Sequence, residues 1–339
     1  MDSSYRYWLV VHPDIERPIG GIKQIHRLAE AISSLSRSAT LIQDTATFHP
    51  GWFKSNVDTI SAKEWFVRRN NGEFSSKRDI LIFPETCLGQ AAEYANGLPF
   101  VIFNQNVSYS FGVKGSSVVH RPSSHLKLYR SSLVKHVLCV SQYDYNTLNY
   151  AFGIPHRKIS LVINGIEPDA APAKTKKKII AYMNRKNSFD SLVVVSLLQE
   201  LSSLKGWHFK CIQNRPHAEV LDVLSESLIF LSFGYPEGFG LPVAEALACG
   251  CCVVGYSGLG GRELFALASN HSVATEVPVG DWSAFLDSVN LFAQTFNTSS
   301  PSILRALQHC SEKIRQSYSL ESLRNSVCHA LAAIENGLS

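Results

Sequence analysis

The stretch that decides the fold is Gly234-Tyr-Pro-Glu237-Gly-Phe-Gly240-Leu-Pro-Val-Ala-Glu245-Ala-Leu-Ala-Cys-Gly250. An apolar run at residues 227–233 precedes it, and a helical pattern at 241–248 leads to a second apolar run at 251–254. This order predicts strand, glycine turn, helix and strand, the unit that points backbone N–H groups at an anionic ligand. The two glutamates stand at the turn and inside the helix, where carboxylates accept paired hydroxyls of a ribose or hexose. The segment therefore predicts a sugar-nucleotide site.

The same segment resembles the Glu-x7-Glu motif of the retaining glycosyltransferases of family 4, which have the GT-B fold. Glu237 and Glu245, the Gly-Phe-Gly-Leu between them and the Ala-Leu-Ala-Cys-Gly-Cys-Cys-Val-Val that follows carry the resemblance. Weaker similarities to family features lie elsewhere: the N-terminal glycine pair (Gly20-Gly21), the interdomain turn (Asn164-Gly165-Ile166), the diphosphate clamp (Arg185-Lys186) and the second glycine loop (Gly260-Gly261-Arg262-Glu263).

The resemblance implies a role for each donor-side residue. Glu237 is expected to contact hydroxyls of the transferred sugar, and Glu245 to accept hydrogen bonds from the ribose diol. Gly20 and Gly21 would let the backbone approach a phosphate from the other side of the cleft. Backbone N–H groups at the helix start are candidates for sugar and phosphate contacts; they belong to Gly238, Phe239, Gly240 and Leu241. The plainer alternatives are a helix N-terminal charge for Glu237 and a solvated helix position for Glu245.

Arg185 and Lys186 are the predicted diphosphate clamp. They follow an apolar run at residues 179–183, and ligands of open α/β sheets bind at strand ends. An arginine fork and a lysine point charge suit two phosphates that gain charge as a glycosidic bond breaks. With Glu237 they form the predicted catalytic set, the alternative being a surface loop with two solvated cations.

Alternating patterns along the chain predict an α/β fold. Short apolar runs suited to a parallel sheet lie at residues 7–11, 39–42, 79–83, 99–103, 136–140, 179–183 and 207–212. Helical periods lie at residues 20–32, 189–201, 281–296, 302–318 and 320–334. Residues 44–78 are poorly patterned and are expected to include loop. Residues 169–178 form a polar, proline-bearing linker, in which Lys176, Lys177 and Lys178 are expected to be solvated.

The predicted architecture is GT-B, with two Rossmann-like domains facing a cleft. Residues 1–168 form the acceptor-binding domain, and residues 169–318 form the nucleotide-sugar-binding domain. The resemblance implies that the helix at 319–339 crosses back to the N-terminal domain.

Composition fits a cytoplasmic enzyme, with the inner face of the membrane as an open alternative. No apolar run reaches the length of a membrane span, and the N-terminus lacks a signal-peptide core. The eight cysteines lack zinc-site spacing and are expected to be reduced, buried thiols. Residues 1–168 carry 18 basic and 13 acidic residues, which fits an anionic acceptor, a peripheral membrane contact or an ordinary solvated surface. The sequence has no basic run interleaved with aromatic residues, so nucleic-acid binding is not expected.

The acceptor side is predicted at Asn104, Gln105 and Asn106, directly after an apolar run. Family members similar to this chain have a histidine at about this place, whereas these amides can orient hydroxyls but cannot act as a base. His120 and His125 are possible substitutes, each with a surface or loop position as the alternative.

No Asp-x-Asp motif occurs, and with the clamp cations present this indicates transfer without a metal ion or other cofactor.

These patterns predict a retaining glycosyltransferase acting in polysaccharide or glycolipid assembly. Its expected partners are a nucleotide-diphosphate sugar donor and a glycan or lipid-linked acceptor. Two alternatives stay open: a sugar-nucleotide epimerase or phosphorylase-like enzyme of the same fold, and a non-catalytic sugar-nucleotide-binding scaffold. The presence of both glutamates and both cations counts against the scaffold.

Overall fold

The computed structural model describes residues 5–11, 13–112, 121–167, 170–171, 175–298 and 300–338. They form two compact units, each built on its own parallel sheet. The first unit comprises Met1–Gly165 and Glu321–Ser339, and the second comprises Ile166–Leu320. The sequence-based divisions lie at 168/169 and 318/319, and the binding roles assigned to the two domains stay predictions.

Seven parallel strands form the sheet of the first unit, in the spatial order β3-β2-β1-β4-β5-β6-β7. Their bounds are β1 Arg6–Val10, β2 Ser38–Gln43, β3 Asp58–Ser61, β4 Asp79–Pro84, β5 Phe100–Asn104, β6 Val134–Cys139 and β7 Ile159–Leu161. The helices that cover it are α1 Gly20–Ser34, α2 Ala62–Asn70, α3 Ala91–Ala95, α4 Pro122–Tyr129 and α5 Gln142–Tyr150. Strands β4 and β5 are buried along their whole length, which is why they read as continuous apolar runs.

Five parallel strands form the sheet of the second unit, in the order β12-β11-β10-β8-β9. Their bounds are β8 Lys177–Tyr182, β9 His208–Cys211, β10 Ser227–Ser232, β11 Cys252–Gly255 and β12 Ala274–Glu276. The helices of this unit are α6 Ser188–Gln199, α7 His217–Glu226, α8 Leu241–Ala248, α9 Arg262–Ser269, α10 Trp282–Thr298 and α11 Ser300–Ser317. Two parallel sheets with helical crossovers confirm the predicted α/β class.

The last helix, α12 (Leu320–Asn336), joins the first unit through its polar contacts. Glu335 accepts a hydrogen bond from the Tyr7 hydroxyl at 2.9 Å and pairs with Arg37, also at 2.9 Å. Ser326 Oγ accepts a bond from the Ile163 N–H at 3.0 Å. Burial, reinforced by the Glu335 carboxylate, raises the pKa of Tyr7, so the phenol stays protonated and donates to Glu335.

The expectation that residues 44–78 include loop is confirmed at residues 44–57 and 71–78, and the region also contains β3 and α2. Ser61 caps α2 by accepting a bond from the Glu64 N–H at 3.1 Å. The buried residue of this helix is Trp65, which stacks on Phe74 at 4.2 Å between ring centroids. A helix that buries only one large side chain shows little helical periodicity of apolar residues in its sequence.

The expectation of solvated lysines at 176–178 is wrong for Lys176, although residues 169 and 172–174 of this linker lie outside the described part of the chain. Lys176 Nζ donates to the carbonyls of Cys249 at 2.6 Å, Ser227 at 2.8 Å and Leu224 at 3.2 Å. These carbonyls end α7 and α8, where the helix dipoles favour a cation. Lys177 and Lys178 already belong to β8.

All eight cysteines are free thiols, six of them buried. Burial raises the pKa of Cys310 to about 12, so this thiol is protonated and unreactive. Within the described residues, no helix combines the length and the hydropathy needed to span a bilayer.

Candidate active site

Four of the predicted donor-side residues, Arg185, Lys186, Glu237 and Gly240, line one cleft of the second unit at the carboxyl ends of its central strands, whereas Gly20 and Gly21 belong to the first unit. Strand β8 leads to Arg185 and Lys186, and β10 leads to Glu237 and the start of α8. The lining residues include Met183, Arg185, Lys186, Gly234, Glu237, Gly240, Pro242, Val243 and Ser257. The sequence therefore identified one continuous surface from two segments about fifty residues apart.

Two glycine loops interlock beneath this cleft. Glu237 pairs with Leu259 as an isolated parallel bridge, with the Glu237 N–H donating to the Gly258 carbonyl at 2.8 Å. The Gly260 N–H donates in turn to the Glu237 carbonyl at 3.0 Å. A Cβ on Gly260 would lie 2.0 Å from the Gly238 carbonyl oxygen, and one on Gly258 would lie 2.5 Å from Glu237 Cβ. The second glycine loop is therefore the backbone support that holds Glu237.

Helix α8 begins at the cleft with Gly240 as its N-cap and Pro242 in its first turn. Among the described residues, none accepts a hydrogen bond from the N–H groups of Gly238, Phe239, Gly240 or Leu241. The first N–H groups of a helix lack partners inside it, and the macrodipole makes this end electropositive. The start of α8 is thus suited to an anionic oxygen.

Lys186 and Glu237 form an ion pair at the cleft, with Nζ 3.0 Å from Oε1. Both side chains are mostly buried, with exposed fractions of 18% and 20%. Lys186 Nζ also donates to the Pro236 carbonyl at 2.7 Å, which ties the clamp lysine to the loop that carries Glu237. Arg185 is exposed at the same rim. The cation and the carboxylate predicted from separate motifs are therefore in direct contact.

Asn187 organises the same loop and was missed in the sequence. Its Nδ2 donates to the Phe233 carbonyl at 2.7 Å and to the Tyr235 carbonyl at 3.2 Å. Its backbone is left-handed, with φ of 50°, a conformation that asparagine adopts more readily than most residues. The only signal in the sequence is its position directly after the clamp.

Glu245 lies inside α8 and is buried, with a side-chain exposure of 8%. Its Oε1 is 2.8 Å from Nε2 of His217, the first residue of α7. The alternative of a solvated helix position for Glu245 is therefore wrong. His217 was missed because the sequence separates it from Glu245 by 28 positions and offers no motif around it.

The residues predicted in the first unit, the donor-binding pair Gly20 and Gly21 and the three acceptor-side amides, occupy different environments. Gly20 and Gly21 begin α1, and a Cβ on Gly21 would lie 3.4 Å from Gln105 Oε1. Asn104 is fully buried and donates to the Tyr129 hydroxyl at 2.6 Å. Asn106 is buried and caps a 3₁₀ turn. Of the three amides, Gln105 is the one with a partly exposed side chain.

Glu85 is a further polar residue at this edge that the sequence did not reveal. It follows β4, is 3% exposed and accepts a hydrogen bond from the Gln105 N–H at 2.9 Å. Burial raises its pKa to about 7, although backbone N–H groups stabilise its charged form. His125 is buried in α4, so the surface position considered for it is wrong, and His120 lies outside the described residues.

No group of three or more His, Cys, Asp or Glu side chains in the described ranges is arranged to hold a metal ion. The charged residues that line the cleft are Arg185, Lys186 and Glu237. Cations of this kind pair with phosphates and a carboxylate accepts hydrogen bonds from hydroxyls, and the binding roles predicted for these residues stay predictions.

The chain is similar to proteins described as glycosyltransferases. Residues 196–295 match the family model described as Glycosyl transferases group 1. The alpha-1,6-glucosyltransferase of Actinobacillus pleuropneumoniae serotype 7 (strain AP76) is 30% identical over 217 residues, which make up 62% of this chain and 60% of that protein. The match thus spans less than two thirds of the relative's length.

Solved structures show the fold over nearly the whole chain. A glycosyltransferase from Rickettsia africae ESF-5 aligns with a TM-score of 0.72 at 16% identity, covering 99% of both chains. The pneumococcal O-GlcNAc transferase GtfA, solved in complex with UDP and GlcNAc, aligns with a TM-score of 0.69 at 11% identity, covering 98% of this chain and 99% of that one. Residues 196–295 are therefore similar to the group 1 glycosyltransferase domain, and the chain shares the α/β fold of these solved glycosyltransferases.

Proposed function

We propose that this protein is a retaining glycosyltransferase that moves a sugar from a nucleotide-diphosphate sugar to a glycan or lipid-linked acceptor without a metal ion. The contact between Lys186 and Glu237 beside the start of α8 carries the proposal. It supports the proposal because a cation, a carboxylate and a row of backbone N–H donors lie together at one end of one sheet. The group 1 match covers Glu237 and α8.

The diphosphate would be held by Arg185, Lys186 and the N–H groups at the start of α8. These donors sit at fixed places before the donor arrives, because loop and helix are tied by the bonds described above. Such pre-organised donors stabilise the charge that develops on a leaving group, at little reorganisation cost. In this proposal the two cations take the role that a metal ion has in other transferases.

The two glutamates would divide the rest of the donor between them. Glu237 lies beside the clamp lysine, so the sugar attached to the diphosphate would reach its carboxylate. Glu245 lies further along α8, and we assign it to the ribose. Hydrogen bonds to a charged group each contribute about 1.5–3 kcal/mol, enough to position a donor.

The transfer would take place on one face of the sugar. The bond between the anomeric carbon and the diphosphate oxygen breaks as the acceptor hydroxyl forms its bond on the same side. The departing diphosphate oxygen takes the hydroxyl proton, so no protein side chain forms a covalent intermediate. Glu237 favours the positive charge that develops on the sugar, and the clamp favours the negative charge on the diphosphate.

UDP-glucose is the first donor to test. The curated relative is named as a glucosyltransferase, and one structural neighbour was solved with UDP. On the acceptor side we propose Gln105, because it is the partly exposed amide beside Gly21. A surface polysaccharide or glycolipid remains the proposed acceptor class, with a cytoplasmic site of action.

Release of UDP from UDP-glucose tests this proposal. We expect slow release without acceptor, because water can enter the acceptor site, and faster release with an extract that contains the acceptor. EDTA should leave the rate unchanged, and NMR should show an α-linked product. The Glu237→Gln variant serves as the matched control, since it keeps the shape of the side chain and removes its charge.

Three outcomes would contradict the proposal. Binding of UDP-, GDP-, ADP- and dTDP-sugars without turnover of any of them would favour a sugar-nucleotide-binding scaffold. Loss of turnover in EDTA with recovery on adding Mn²⁺ or Mg²⁺ would show a metal-dependent reaction. A β-linked product from an α-linked donor would show inversion.

A further inference from the structure

We propose that His217 is a positioning residue for the donor ribose, because it holds the Glu245 carboxylate in place. This inference rests on the proposed function, in which Glu245 binds the ribose. It adds a residue of α7 to a site whose other donor-side members come from β8, the loop after β10 and α8.

The contact between His217 and Glu245 is short and shielded from solvent. His217 Nε2 lies 2.8 Å from Glu245 Oε1, and the two side chains are 17% and 8% exposed. A carboxylate can only accept hydrogen bonds, so the Nε2 atom carries the proton and donates it. The bond therefore fixes both the imidazole and the carboxylate group.

The surroundings of Glu245 explain why such a donor is needed. Its neighbours in α8 are the buried apolar residues Val243, Ala244, Ala246 and Leu247. Moving a carboxylate out of water costs free energy unless hydrogen bonds replace its hydration. His217 supplies one of these bonds from a separate helix, and at low solvent exposure it is stronger than it would be in bulk water.

The position of His217 in its helix indicates how the bond is made. It is the first residue of α7, after the N-cap Pro216. The helix dipole disfavours a cation at this end and favours a nearby carboxylate. An imidazole N–H that donates from Nε2 to the Glu245 carboxylate fits this end of the helix.

The bond leaves room for the ribose. The two oxygens of a carboxylate offer about four acceptor positions, so a bond from His217 is compatible with bonds from a diol. Its effect would be to hold the carboxylate in the orientation that the diol requires. Removing it should weaken donor binding and leave the chemical step largely unchanged, because the ribose is remote from the bond that breaks.

A double-mutant cycle measured by calorimetry tests the inference. Nucleoside diphosphate affinity is measured for wild type, His217→Ala, Glu245→Gln and the double variant, after a screen of UDP, GDP, ADP and dTDP against wild type. We expect His217→Ala to weaken binding about 5- to 20-fold, less than the about 10- to 150-fold for losing a whole hydrogen bond to a charged group, because the ribose contact is loosened and not removed. Adding it to Glu245→Gln should cost less than about 3-fold more, since the two residues act as one unit.

Two further variants separate positioning from folding. His217→Gln should restore affinity to within about 3-fold of wild type, because its amide nitrogen can reach the place of Nε2. In steady-state kinetics, His217→Ala should raise the donor KM and change kcat by less than about 3-fold. His208→Ala is the matched control, an exposed histidine on β9 of the same unit, and should behave as wild type.

The outcomes distinguish this inference from the proposed function. Wild type that binds none of the four diphosphates would overturn both. Wild type that binds, with Glu245→Gln weakened and His217→Ala unchanged, would overturn the role of His217 alone. Fully additive losses in the double variant, or a fall in kcat without a rise in KM, would do the same. If His217→Ala does not fold, failure of the folded Gln variant to bind would count against the inference.

Discussion

The two sheets of this protein end in polar residues of different kinds. At the carboxyl edge of the second sheet, ionisable side chains pair with one another: Lys186 with Glu237, which line the cleft, and His217 with Glu245. At the corresponding edge of the first sheet, Asn104, Glu85 and Asn106 are buried, with exposures of 0%, 3% and 5%.

The partners of these buried residues differ accordingly. In the first unit they are mostly structural groups: a tyrosine hydroxyl for Asn104 and backbone N–H groups for Glu85 and Asn106. In the second unit, Lys186 pairs with Glu237 at a cleft that a ligand can reach, and the imidazole of His217 pairs with the carboxylate of Glu245. Polar residues at a strand end are therefore not evidence of a ligand site by themselves, because they also shape the loops.

The largest expected effect comes from the backbone contact that supports the second edge. Gly260→Ala would place a Cβ 2.0 Å from the Gly238 carbonyl oxygen, so one of the two loops must move. We expect a loss of about 3–5 kcal/mol in unfolding free energy and complete loss of turnover. Differential scanning calorimetry with UDP-glucose turnover measures both.

Gly280→Ala is the control for this substitution. Gly280 has a φ of +86° but no atom within 4 Å of an added Cβ, so it adds only backbone strain of about 1 kcal/mol. Equal effects at the two positions would show that strain alone, and not the close approach of the loops, is responsible. The glycine loops would then support Glu237 less than we infer.

The next largest effect is expected from removing the clamp cations Arg185 and Lys186. Lys186→Ala and Arg185→Ala should each lower turnover about 10- to 1000-fold, the range for losing one pre-organised charge contact. Lys186→Ala should be the more severe, because the lysine also holds Glu237 and the Pro236 carbonyl. Lys205→Ala, an exposed lysine of the same unit, serves as the control. Wild-type turnover in either clamp variant would remove that residue from the clamp.

The parts of the fold that were predictable are those with local signals. Buried parallel strands such as β4 and β10 are continuous apolar runs, and α8 follows a glycine turn. Helix α2 was missed because it buries one side chain, Trp65, against aromatic neighbours distant in sequence. A periodic pattern needs several buried positions on one face.

In the candidate site, too, the residues in compact sequence motifs were predictable and the distant partners were not. The motif around Glu237 and the clamp was visible because each is a compact segment after a strand. The partners of Lys176 lie 48, 51 and 73 residues away, and His217 lies 28 residues from Glu245. Such contacts depend on how helices pack, which no local spacing encodes. The burial of Asn104 was equally invisible, because its strand continues one residue further than the apolar run.

The last prediction tests whether the first edge is structural, through the titration of Glu85. Its pKa is about 7 in the folded protein, against an ordinary value of 4.5, because burial disfavours the charged form. The stability it contributes is therefore complete below about pH 4.5 and is lost as the pH rises through 7. His26 and His136 act in the opposite sense, since burial lowers their pKa to about 4, and they remove stability as the pH falls below 6.5.

Comparing wild type with Glu85→Gln isolates the glutamate, because the histidines are common to both. The amide stays neutral, so the stability of wild type relative to the variant should fall by roughly 3 kcal/mol between pH 4.5 and 8. Calorimetric unfolding over this range measures the difference. UDP affinity should be the same in both proteins, since Glu85 belongs to the other unit. A flat stability difference would show that Glu85 is not a buried titrating group, and lost UDP affinity would show that the first edge takes part in donor binding.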